Sequence, residues 1–226
     1  MDQAWTYDHY VDLENVPPAA MDAPDRFAFL RLLYEAGLEQ PERETGFVYY
    51  RILELHERLI GSWRAWRTEG ADPVRQTWLE QRIVNDAGIL GHYVMDASQP
   101  HHTTIHFNGW DADTPNPEGY TTDRDFHSRF ERFFVDAHVD EAAIKDATRA
   151  EPHTVTDLAD VRRVVRAHID DSHSRVEELD RLDRDVGFDP QAPPHPDAVA
   201  FAVERIASGS SMLATLWWSA WIASNP

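Results

Sequence analysis

Histidine and carboxylate recur in this sequence at spacings suited to holding a metal ion. His92 and Asp96 stand four residues apart near the end of a predicted helix, so an imidazole and a carboxylate share one face where a single ion can bind both. His127 and Glu131 repeat that spacing on the next predicted helix, and His102 falls in the loop between the two pairs. Taken alone, a His/acid pair at this spacing is ordinarily an exposed ion pair; two pairs flanking a histidine-bearing loop form a more specific pattern. The chain has no cysteine, which excludes disulfides and thiolate sites, so any metal must be held by His, Asp or Glu. Of the other histidines, His56 and His138 read as helix positions, and His153 and His195 sit beside prolines in loops. His168 and His173 are five apart, a poor spacing for sharing an ion, and with His101 all of these are left outside the candidate site.

Apolar periodicity predicts the elements that must position these groups. Phe27, Leu30, Leu33 and Tyr34 give a first helix ended by Gly37. Val48, Ile52, Leu55, Leu59 and Trp63 form one stripe of a second, over about 44–67. A third starts after Asp72-Pro73, where Asp caps and Pro fits the first turn, and runs through Trp78, Ile83 and Leu90 to about Asp96. Pro100, Asn108-Gly109, Pro115, Pro117 and Gly119 break any period between Ser98 and Tyr120, predicting a long loop. Further helices are expected over about 123–138, 141–149, 157–184 and 196–223. The expected architecture is an all-α bundle with one long decorated loop.

Composition narrows the partners. The 226-residue chain is 42% hydrophobic and fits one domain with one substantial core. Its formal charge of −19, with forty acids against twenty-one bases and Lys145 as the sole lysine, repels polyanions. Duplex nucleic acid is held mainly through phosphate contacts from Lys and Arg, so a stable duplex complex is not expected, and a small or short phosphate-bearing substrate fits better. The longest apolar stretch, Met212 to Ile222, is too short to span a bilayer. No basic and apolar leader opens the chain, which gives a cytoplasmic expectation, or a secreted one should the true N-terminus lie upstream.

The segment GILGHYVMDASQPHHTT resembles the central helix-to-loop motif of the zinc-dependent phospholipase C and S1/P1 nuclease superfamily. His92, Asp96, Gln99-Pro100 and His102 match that motif position by position. DFHSRFE resembles the family's second element, with His127 and Glu131 matching the phospholipase-like form. DHYVDLEN is similar to an upstream segment carrying a further metal-binding histidine, here His9, and ASGSSMLATLWWSAW is similar to the family's final helix. The resemblance therefore spans most of the chain. It implies a single-domain, all-α bundle of the phospholipase C/P1 nuclease type with a long metal-site loop, a zinc cluster, and phosphodiester hydrolysis by metal-activated water. One ion is implied at His9, His92 and Asp96, a second at His102, His127 and Glu131, and a third sharing Asp96, which makes Asp96 the candidate catalytic residue.

The implied substrates are a small phosphodiester, a phospholipid head group or single-stranded nucleic acid. Phe107, Trp110 and Tyr120 in the long loop are the aromatics available to stack on a base or meet lipid. The departures from the family lie at the N-terminal end, where its third zinc takes a processed terminal Trp, another His and an Asp. This sequence has Met1 in first place and no His before His9, with Asp2, Asp8 and Asp12 as the carboxylates on hand. Those departures support an alternative expectation, a non-catalytic member stabilised by its metal.

Overall fold

Ten α-helical segments carry nearly all the regular structure in the computed structural model, which describes residues 3–69, 72–149, 151–155 and 157–225. Among the described residues there is no strand, and a single isolated bridge joins Phe107 and Gly109, so the chain is all-α as expected. In order they are α1 (Arg26–Glu35), α2 (Pro41–Thr45), α3 (Val48–Glu69), α4 (Pro73–Ser98), α5 (Phe126–Ser128), α6 (Val135–His138), α7 (Glu141–Ala147), α8 (Leu158–His173), α9 (Val176–Asp185) and α10 (Pro196–Ala223). A 3₁₀ turn, Pro100–Thr103, follows α4, and a π-helical stretch, Arg129–Phe134, joins α5 to α6. No helix is long and apolar enough to cross a membrane among the described residues.

The long helices pack by their predicted stripes. Val48, Ile52, Leu55 and Leu59 of α3 are buried against α4, whose Ile83 and Leu90 face them, and α10 crosses both. Small residues on α10, among them Ala207, Gly209, Ser219 and Ala220, let it approach closely. At Gly209 an added Cβ would stand 2.6 Å from Met95 Sδ and 2.8 Å from Ser98 Oγ, so the side chains that flank Asp96 on α4 pack directly onto the α10 backbone there. Two expectations on facing are corrected. Phe27 and Tyr34 of α1 are exposed, while Phe29 and Leu33 are buried, and Phe29 packs against Phe47 and Tyr50 of the neighbouring segment. Trp78 of α4 is likewise exposed, while Ile83 and Leu90 of the same helix are buried.

The core is not one cluster but two. The larger joins α1, α3, α4, α8 and α10, and the smaller stacks Phe126, Phe130, Phe134, Phe188 and Phe201 with Leu179 and Leu182. The helix expected over 157–184 is broken between them at Ser174 and Arg175, where the Ser174 hydroxyl donates to the Asp171 carbonyl. Val161, Val165 and Ile169 of α8 serve the larger cluster, whereas Leu179 and Leu182 of α9 serve the smaller, and one straight helix cannot face both.

Candidate metal centre

The end of α4 is fixed by Gln99 and Pro100. Gln99 leaves helical geometry, and its side chain accepts from the His101 amide at 2.7 Å, which starts the 3₁₀ turn and swings His102 back over the end of α4. His9 reaches the same place from far upstream. Its strand of chain lies along the α2–α3 junction through backbone bonds from Phe47 to the Tyr7 carbonyl, Val48 to Tyr10 and Asp12 to Thr45, and Val11 donates to the His102 carbonyl at 2.8 Å. Gly46 makes that approach possible: its φ is +71°, and a Cβ there would fall 2.2 Å from the Tyr10 carbonyl oxygen.

Two three-residue groups result. In the first, Nδ1 of His9 lies 2.9 Å from Oδ2 of Asp96 and 3.0 Å from Nε2 of His92, with 3.5 Å between His92 and Asp96. In the second, Oε2 of Glu131 lies 2.9 Å from Nε2 of His127 and 3.4 Å from Nε2 of His102. Around a zinc ion with bonds of about 2.0–2.1 Å, tetrahedral ligand atoms stand about 3.4 Å apart, so these separations fit such an ion. The six residues expected from sequence are thus brought together in the expected threes.

Orientation of the rings supports the same fit. His102 Nδ1 donates to the His9 carbonyl at 2.7 Å and His127 Nδ1 to the Phe107 carbonyl at 3.1 Å, which turns both Nε2 atoms toward Glu131. Burial works against charge on both Glu131 and His102, yet their mutual contact prevails. Glu131 is held well below the usual carboxylate range by its bonds to His102 and His127, and His102 is raised by Glu131 and Asp96. A carboxylate that is to hold a metal must be ionised, and this environment favours the ionised form. Gln99 Nε2 donates to Glu131 at 3.3 Å, a supporting role its place in the sequence motif did not disclose.

The other candidate side chains separate by their contacts. Asp8 is taken by Arg26 at 2.9 Å and Arg51 at 3.5 Å, so it is engaged away from either group. Asp12 is buried near His102, and burial followed by the Glu14 charge pushes its carboxyl up to about 8; it belongs to neither group of three. Asp2 lies outside the described residues. His101 is buried between Phe126 and His127 with its ring nitrogens unpartnered, and burial holds it neutral. His56 and His168 are packed inside and burial lowers each to about 4. Trp110 stacks on His106 at 3.7 Å and touches a buried Tyr120, so these aromatics hold the loop to itself, while Phe107 stays exposed beside His127. No family model, curated protein or solved structure matches the chain.

Proposed function

We propose that this chain is a zinc-dependent phosphodiester hydrolase of the phospholipase C/P1 nuclease type. The observation that carries the reading is the pair of three-ligand groups, His9/His92/Asp96 and His102/His127/Glu131, set side by side by the bond from His102 to the His9 carbonyl. Among the described residues each group comprises three protein ligands, the number hydrolytic zinc sites use, whereas structural sites close with four. What zinc supplies when bound is Lewis acidity, toward water and toward a phosphoryl oxygen. Asp96 and Glu131 supply the anionic ligands, one per group. The carbonyls of His9 and Phe107 fix the tautomers of His102 and His127, and Gln99 steadies Glu131. His92 is the open side, with its side chain more than half exposed, and gives substrate a way in from solvent.

The test is zinc-dependent turnover of bis-nitrophenyl phosphate, phosphatidylcholine and single-stranded DNA by the purified protein. Release from at least one, abolished by chelation and restored by zinc, is expected. Stoichiometric zinc with no turnover of any of the three would retire the hydrolase and leave the metal as a staple between loop and helix.

A further inference from the structure

A cavity of about 430 Å³ opens beside the candidate centre, between the end of α4, the π-helical stretch and α10. Its lining includes Asp96 from one group of ligands and Glu131 from the other, together with Gln99, Arg132 and Arg205. A molecule seated there borders both metal positions at once.

The two arginines differ. Arg205 is buried and its charge is met by Asp171 at 2.9 Å and by Glu204 at 2.5 Å. Arg132 is exposed, and among the described residues no carboxylate lies within ion-pairing distance of it, although Asp136 lines the same cavity. Its guanidinium carbon lies 5.4 Å from the centroid of the Phe133 ring. What sets Arg132 apart is its place: it lines the cavity beside Asp96, Gln99 and Glu131 with its charge unmet by a carboxylate, so it is positioned to meet an anion that enters there.

Local backbone explains its placement. A π-turn closes between residues i and i+5, which carries residue i+5 back toward the face of residue i. Across Arg129–Phe134 the wider turn shifts the phase of the residues after Glu131, and Arg132 lines the same cavity as Glu131. The geometry points to Arg132 as a substrate-binding residue that takes a non-bridging oxygen of a phosphate group held between the two metal positions. The inference rests on the phosphodiesterase reading for its substrate class, and its own evidence is the cavity and the unpaired cation. A guanidinium matches two phosphate oxygens at once, and charge-assisted bonds of this kind are the strong ones.

The test is calorimetric titration of inorganic phosphate into the zinc-loaded protein, with Arg132→Gln and Arg132→Lys beside the wild type and zinc content measured on each. Arg132→Gln should weaken phosphate binding about tenfold or more at unchanged zinc content, and Arg132→Lys should recover part of the loss. Equal binding by wild type and Arg132→Gln overturns the assignment, as does a wild type that binds no phosphate. Loss of zinc from both variants also overturns it, since Arg132 would then be holding the ligand helix. Arg132-dependent phosphate binding by a protein that cleaves no diester would instead retire the hydrolase and leave the anion site standing.

Discussion

Glu131 and Asp180 show how differently one carboxylate and another are treated in the same molecule. Glu131 sits among two imidazoles and an amide and stays ionised. Its replacement by Gln keeps a comparable helix former but removes the charge. Glu131→Gln should speed zinc loss from the His102/His127 group more than about tenfold under chelation, as removal of support at metal sites commonly does. Wild-type zinc should leave the His9/His92/Asp96 group first. Timed elemental analysis reads both, and an Asp96→Asn protein that loses all zinc while Glu131→Gln keeps it would reverse the order. Asp180 is fully buried with both oxygens unpartnered, and burial, then Asp183 and Glu177, push its carboxyl up to about 7. The folded state therefore keeps a proton that the unfolded chain releases near its ordinary value of 3.8, and stability present below that value is lost as pH rises toward 7. Asp180→Asn should stabilise the protein by roughly 1–3 kcal/mol at pH 8 and by less at pH 5, read by urea unfolding with chelator present.

At the scale of elements, the site depends on how closely α10 lies on α4. Gly209→Ala must displace Met95 or Ser98, and the Ser98 hydroxyl is already bound to the Met95 carbonyl at 2.7 Å. The substitution should cost about 1–3 kcal/mol by thermal unfolding and weaken zinc at the Asp96 group ahead of the other. Unchanged melting and zinc content would show that the contact relaxes freely. Much of this arrangement was legible in sequence. The stripes of α3 and the caps of α4 follow from residue type, and the candidate grouping of His92, Asp96, His102, His127 and Glu131 follows from their spacing, with His9 added by the motif. The phase of α1 was not, because Phe27 and Tyr34 compete with Phe29 and Leu33 for the same period, and the choice is made by tertiary packing of Phe29 on Phe47 and Tyr50. The break between α8 and α9 carries neither Gly nor Pro, and what divides them is the presence of two cores. The π-turn leaves no mark on an i, i+4 pair such as His127 and Glu131, so the placement of Arg132 was invisible until the backbone was known.

For the molecule as a whole, the net charge of −19 sets the approach of any substrate. At low salt, with a Debye length of about 30 Å near 0.01 M, a long polyanion meets the whole acidic surface, and at about 0.15 M it feels only the nearest ~8 Å. Catalytic efficiency toward single-stranded DNA should therefore rise with ionic strength relative to bis-nitrophenyl phosphate. A fall would mean that a local basic face outweighs the global field. The link between His9 and His102 also acts across distant parts of the chain. His9 gives its ring to one group of ligands and its carbonyl to the other, so whatever settles that residue settles both mounts. Filling either position is then coupled to affinity at its neighbour, and by thermodynamic reciprocity the effect is equal in both directions. His9→Ala separates the two duties, since it deletes a ligand and leaves the carbonyl in place: the pair becomes one weakened site and one that no longer senses its partner.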